Sequence, residues 1–179
     1  MAILPILVAP HPVLKKKCEP VETVDDAIRT LLDDMLETMY DAPGIGLAAP
    51  QVGVSKRILV VDCAPRGADP QPMKLINPEI VTQSDALSTY EEGCLSFPEQ
   101  YAEVQRPATV TVRYLDENGT QQTIEADGLL ATCIQHEIDH LDGVVFVDHI
   151  SSLKRGMIMR KLQKQTKLRS KEGRAAAAE

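Results

Sequence analysis

His136-Glu137-Ile138-Asp139-His140 holds two imidazoles four residues apart with a carboxylate between them. In an α-helix, positions i and i+4 lie on one face a turn apart, so a single metal ion can take both rings. Glu137 sits one step round from His136, where it can reach a water at the metal without ligating the metal itself. That is the arrangement expected of a general base beside an activated water. The competing reading is a surface helix that happens to carry two of the chain's four histidines.

Two rings do not complete a catalytic centre, which ordinarily has three protein ligands and one open position. The candidates for the third ligand are the other cysteines, His149, His11 and nearby acids. Cys133 shares the helical face of His136, but the helix rises roughly 10 Å between Cys133 and His140. Ligand atoms must lie within about 2.0–2.3 Å of an ion. Cys133 is therefore better read as a small apolar wall residue, and Asp139 faces away from the line joining the two rings. The longer H-E-x-x-H-x-x-G-x-x-H pattern of metzincin proteases holds through Gly143 and fails at Phe146, which cannot ligate; His149 comes three residues late. Cys94 remains, in a Gly93-Cys94-Leu95 stretch where the backbone can bend close.

The elements that must position these groups belong to a chain of 179 residues, 44% hydrophobic and 25% charged, which fits one domain with a substantial core. No apolar run is long enough to span a bilayer, and the opening residues have no basic stretch and break at prolines, unlike a signal peptide. Four scattered cysteines without a C-x-x-C pair read as thiols or a ligand, and the cytoplasm is the expected compartment. The net charge of −7 is unevenly spread, because between Lys154 and Arg174 only Glu172 opposes the basic residues. Such a segment suits an anionic surface such as nucleic acid, or a solvated helical face.

Apolar residues recurring at three and four from Ile28 to Met39 predict a helix over 25–40, capped by Thr23 or Asp25. The Gly44–Gly53 stretch is small and Gly-rich. It lacks the ending of a phosphate loop, so it is read either as a place where something approaches the backbone closely, with Gln51 as its one amide side chain, or as a tight connection. Strands are expected over 57–62, at 75–76 and 80–81 bent at Pro78, and over 89–92, with a turn or irregular strand over 93–98. Residues 110–115 and 123–126 around Asn118-Gly119 form the clearest hairpin. Asp127 is placed to cap a helix over 128–141 that Asp142-Gly143 stops. A short strand is expected over 144–147. Ser151 or Ser152 then opens a last helix that buries Leu153, Met157, Ile158 and Leu162. The predicted class is α+β: small antiparallel sheets around a central metal-binding helix, with N-terminal and C-terminal helices. Residues 1–170 form one catalytic domain and 171–179 a flexible tail.

Three segments together, Gly44-Ile45-Gly46-Leu47-Ala48-Ala49-Pro50-Gln51, Glu92-Gly93-Cys94-Leu95-Ser96 and His136-Glu137-Ile138-Asp139-His140, resemble in order and spacing the motifs of the peptide deformylase family of bacterial type. The similarity extends over most of the chain. It implies removal of the formyl group from the N-terminal formyl-methionine of newly made polypeptides. It implies further that Cys94, His136 and His140 hold one divalent metal, with Fe(II) the physiological ion and Zn, Ni or Co able to occupy the site. Glu137 would then move the proton, and the Gln51 amide and the Leu95 backbone N–H would stabilise the oxyanion. Substrate contacts are assigned to Gly44, Gly46, Glu92 and Gly93; Leu129, Thr132 and Cys133, which share the helical face of His136, are read with Ile45 and Tyr90 either as the wall of a methionine pocket or as ordinary core, with Thr132 smaller than the aliphatic residue expected in such a pocket. The basic C-terminal helix resembles one that contacts the ribosome, and a monomer with no membrane partner is expected. The rival hypotheses are a zinc endopeptidase, which needs a downstream ligand, and a basic-tailed RNA- or ribosome-binding protein with a structural metal.

Overall fold

The computed structural model describes residues 2–177. Helix α1 (Asp26–Asp41) is followed by strands β1 (Gly46–Ala48), β2 (Ile58–Val61), β3 (Met73–Gln83), β4 (Leu87–Cys94), β5 (Phe97–Pro107), β6 (Val110–Leu115) and β7 (Gln121–Ala126). Helices α2 (Gly128–Leu141) and α3 (Ser152–Ala177) complete the order. Five strands form an antiparallel sheet in the order β1-β2-β3-β6-β7, and β4 and β5 pair separately as a two-stranded sheet.

The larger sheet is covered on both faces. Ile28, Leu32, Met35 and Met39 of α1 pack with Leu47, Ile58, Val60 and Ile76. Ala131, Cys133, Ile134, Ile138 and Leu141 of α2 pack with Leu59, Val61, Leu75, Val110 and Val112. Strand β2 is consequently buried at every position, which accounts for its unbroken Ile-Leu-Val-Val run. Asp25, not Thr23, caps α1 by accepting from the Ile28 N–H at 3.0 Å. Asp127 holds the cap position of α2 but makes no side-chain cap bond.

The helix over 128–141 and the hairpin over 110–126 stand where the sequence places them. The short strands flanking Pro78 are one strand, β3, with a register shift between Ile76 and Glu79. Asn77 takes a left-handed φ of 51° there, and its amide bonds both the N–H and the carbonyl of Val21. Three expectations need correction. Residues 144–147 are not a strand; Phe146–His149 form a 3-10 turn, and Phe146 meets Phe97 edge-on at 5.2 Å. An apolar run of four gains nothing as a strand without a neighbour to pair with. In α3, Ile158 and Leu162 are buried against Phe97, Val104 and Val147, but Leu153 is 72% exposed and Met157 47% exposed. The helix docks through a narrow stripe rather than a broad face. It also continues through Gly173 to Ala177, where the tail was expected to leave it; positions 178 and 179 lie outside the described residues.

Candidate active site and metal centre

Helix α2 and the β4–β5 hairpin meet at the site. His136 and His140 face each other one turn apart with ring centroids 5.1 Å apart. The turn at the end of β4 brings Cys94 to them, with Sγ 3.3 Å from His140 Nε2. One ligand atom from each of Cys94, His136 and His140 lies within 4.8 Å of the others. This is a mixed thiolate and imidazole donor set with the reach to share one ion. Phe146, which fails the metzincin pattern, stacks on His136 with centroids 6.1 Å apart.

The charge pattern also fits a cation. Burial would lower the pKa of His136, yet the Cys94 sulfur and the Glu92 carboxylate beside it hold it well above the usual value, so this corner draws positive charge. Burial pushes His140 well below its usual value, toward the neutral ring that ligates, and the charges of His136 and Arg106 add to that. Glu137 is 4% exposed; burial raises its pKa to about 7, and its Oε2 has no hydrogen-bond partner among the described residues. A buried carboxyl with a free oxygen, poised near neutrality, is suited to moving a proton.

Behind the ligands lies a set of ion pairs that the sequence reading did not include. Glu92 Oε1 is 2.9 Å from His136 Nδ1. Arg106 clamps Glu92 with two N–H groups, at 2.7 and 2.9 Å, and donates to Asp139 Oδ2 at 2.8 Å. His149 Nε2 is 2.7 Å from the same Asp139 oxygen. The arrangement fixes which nitrogen of His136 faces the metal position. Glu92 borders the cavity, as expected of a substrate contact, but both of its oxygens are taken. Asp139 does face away from the two rings, and its partner there is Arg106. The signal for Arg106 is a lone cation on the same strand face as Ala102 and Val104.

Gln51 is 1% exposed in the short 3-10 turn after β1. Its Oε1 accepts from the Ala48 N–H at 2.9 Å, and its Nε2 donates to Ser96 Oγ at 3.1 Å and toward Cys94 Sγ at 3.4 Å. A cavity of about 810 Å³ opens onto the site. Gly44, Ile45, Gly46, Tyr90, Gly93, Leu95, Leu129, Thr132 and Cys133 line it together with Cys94, His136 and Glu137, while Gln51 and His140 sit behind the lining. Ile45 and Leu129, 45% and 44% exposed, stand at its mouth and are not core. A Cβ on Gly46 would come within 2.7 Å of Glu137 Oε1 and 2.8 Å of Cys133 Sγ, so the backbone there runs against the general-base candidate with no room for a side chain.

The sequence profile of the polypeptide deformylase family matches residues 3–156. The chain is 59% identical over 169 residues to a peptide deformylase of Rhizobium meliloti (strain 1021), covering 94% of this chain and 97% of that protein. Its fold matches the crystal structure of a peptide deformylase from Legionella pneumophila with a TM-score of 0.87 and 48% identity, over 94% of this chain and 98% of that one. It also matches the peptide deformylase of Ehrlichia chaffeensis crystallised in complex with actinonin, with a TM-score of 0.88 and 45% identity, over 92% and 98% of the two chains. The chain belongs to the polypeptide deformylase family.

Proposed function

We propose that Cys94, His136, His140, Glu137, Gln51 and Leu95 carry out the reaction of the family to which the chain belongs. The chain is a metal-dependent hydrolase that removes the formyl group from the N-terminal formyl-methionine of newly synthesised polypeptides. The observation that carries the residue assignment is the convergence of Cys94, His136 and His140 beside a buried Glu137 oxygen that has no partner among the described residues.

Cys94, His136 and His140 would hold the divalent ion, which when bound supplies Lewis acidity toward water and the formyl carbonyl. Glu137 accepts the proton of the attacking water and returns it to the departing amine, a role supported by its pKa of about 7. The Gln51 amide turns its longer hydrogen bond, the one toward sulfur, to the oxygen that gains charge, and the Leu95 N–H supplies a second donor. The absence of a side chain at Gly46 leaves space beside Glu137 for hydrogen on the carbonyl carbon and little for anything larger. The methionine side chain lies in the cavity between Ile45, Tyr90, Leu129, Thr132 and Cys133, while Gly44 and Gly93 admit the peptide backbone and Glu92 orients His136.

A thiolate with two imidazoles suits Fe(II) or Zn, and we assign Fe(II) as the native ion, with Zn, Ni or Co as substitutes. We place the protein in the cytoplasm as a monomer; no described helix is long and apolar enough to cross a membrane. The basic outer face of α3 is the surface offered to the ribosome.

Metal content and formate release from formyl-Met-Ala-Ser, measured on an anaerobic preparation, test the assignment. Glu137→Gln is expected to keep its metal and lose turnover by on the order of 10²–10⁴. Undiminished formate release would remove Glu137 from the mechanism. Cleavage of an unformylated protein, with no formate released from the tripeptide, would favour an endopeptidase.

A further inference from the structure

Away from the metal ligands, the Cys133 thiol at the cavity wall has a second thiol, Cys63, packed against the core cluster behind it. Cys63 lies just beyond β2 and Cys133 on α2, and both are free. The peptide at Ile45 brings them together: its carbonyl accepts the Asp62 N–H at 2.9 Å and the Cys133 thiol at 3.5 Å. Gly46 pairs with Val61 in the same strand register. Cys63 is half-buried and packs against the core cluster that contains Cys133. Neither sulfur takes part in the bond-breaking of formyl removal, though Cys133 lines the methionine pocket.

We propose that Cys63 and Cys133 form a dithiol that hydroperoxides oxidise to a reversible disulfide, and that this bond reshapes the wall of the active-site cavity. The two sulfurs are unequal in a way that suits the chemistry. Cys63 is the more exposed of the two, and the neighbouring Cys133 thiol lowers its pKa against the opposing effects of burial and of the Asp62 and Glu137 charges. Cys133 is buried, and Cys63 beside it and burial push its pKa well up. Cys63 is therefore the nucleophile and Cys133 the resolving thiol. The Cys63 thiolate attacks one oxygen of the peroxide, the O–O bond breaks, and Cys63 becomes a sulfenic acid as hydroxide or alkoxide leaves. The Cys133 sulfur then attacks the Cys63 sulfur; its proton and the sulfenic hydroxyl depart as water, and the S–S bond forms. The peroxide is reduced by two electrons and the thiol pair oxidised by two.

A disulfide holds its sulfurs about 2.05 Å apart, so Cys133 must swing toward Cys63 and gives up its bond to the Ile45 carbonyl. The strand that presents Gly46 to Glu137 then loses a tether. The other two cysteines are built differently. Cys94 faces the metal position, and burial raises the pKa of Cys18 and makes it a poor nucleophile.

The test uses the zinc-loaded holoenzyme, treated with a few equivalents of hydrogen peroxide, alkylated and digested with trypsin. The expected product is a cross-linked pair of peptides, 58–66 and 114–154, lighter by two hydrogens than their sum. Zinc should be retained and Cys18 alkylated, and the cross-link should be absent from Cys63→Ser. In the wild type kcat/KM should fall about tenfold or more, since a shift of about 1 Å near the chemistry can cost 10², and should return with dithiothreitol. Cys63→Ser should keep its activity through the same treatment. Cys133 still alkylatable while Cys63 is over-oxidised, or zinc lost through Cys94 before any cross-link forms, would overturn the pairing. A cross-link that leaves kcat/KM unchanged would overturn its effect on the cavity.

Discussion

Two hairpins of similar size are built on different principles. Strands β6 and β7 pair from Val110↔Ala126 to Leu115↔Gln121 without a shift. Their turn is made by local chemistry: Asp116 accepts from the N–H groups of Asn118 and Thr120, and Gly119 takes a φ of 76°. Strands β4 and β5 slip register between Gly93 and Cys94, carry Glu99 at a φ of 62° and bury Glu92 and Arg106. The turn of the first hairpin is held by its own residues, and β6 continues the larger sheet beside β3. The second is held by what it meets on α2, and its irregularities deliver the Cys94 sulfur to His140. Departures from regular pairing concentrate where the site is assembled.

This contrast breaks down if changes in the two hairpins have similar effects. The largest effect is expected from Cys94→Ala. Metal occupancy, read by elemental analysis after dialysis, should collapse, and formate release should fall at least 10³-fold, because a catalytic centre with two ligands is incomplete. Full occupancy would point to another ligand.

Next comes Arg106→Met, which leaves Glu92 buried without its cation. Breaking such a pair costs about 3–5 kcal/mol, read in urea unfolding, and disturbing the partner of a ligating histidine weakens metal affinity about 10–100-fold. An unchanged metal affinity would make Arg106 a purely structural residue.

In the regular hairpin, Gly119→Ala should cost about 1–2 kcal/mol from its left-handed backbone alone. A new Cβ there meets nothing nearer than Val24 at 3.7 Å, so kcat/KM should not move. The smallest effect is electrostatic. The Asp116 pKa is lowered by hydrogen bonds from Gln122 and the Thr120 and Asn118 N–H groups, with desolvation opposing weakly. A depressed carboxylate stabilises above its unfolded pKa, near 3.9, and that contribution fades as pH falls through the folded value. Asp116→Asn should therefore lower stability slightly near neutrality and flatten its dependence on pH below about 4, the difference from the wild type vanishing at lower pH. An NMR titration of Asp116 with a midpoint at or above the ordinary value would contradict this.

The same contrast explains what was legible in the sequence. The β6–β7 hairpin and the helix bearing His136 and His140 advertise themselves by alternation, by Asn118-Gly119 and by the four-residue spacing. Strand β5 did not, because its buried positions include Gln100 and Arg106, residues that ordinarily face solvent. Cys94 could be singled out by elimination and by the family motif, but the sulfur reaches His140 across 46 positions of sequence. Nothing local fixes such a contact. The chain from His136 through Glu92, Arg106 and Asp139 to His149 was illegible for that reason, since each link joins separate segments. Residues 144–147 misled because an apolar run reads alike whether it joins a sheet or plugs a gap beneath Phe97.

The segment ahead of α1 closes onto parts of the chain made much later. The Leu7 N–H bonds Gln51, that of Ala9 bonds Ser96 and that of Cys18 bonds Leu141, while a Cβ on Gly143 would strike the Lys15 carbonyl at 2.5 Å. The residues ahead of α1 thus wait for the end of α2 before they can settle. A protein whose work begins on unfinished polypeptides must itself be translated past α2 before its own fold can lock.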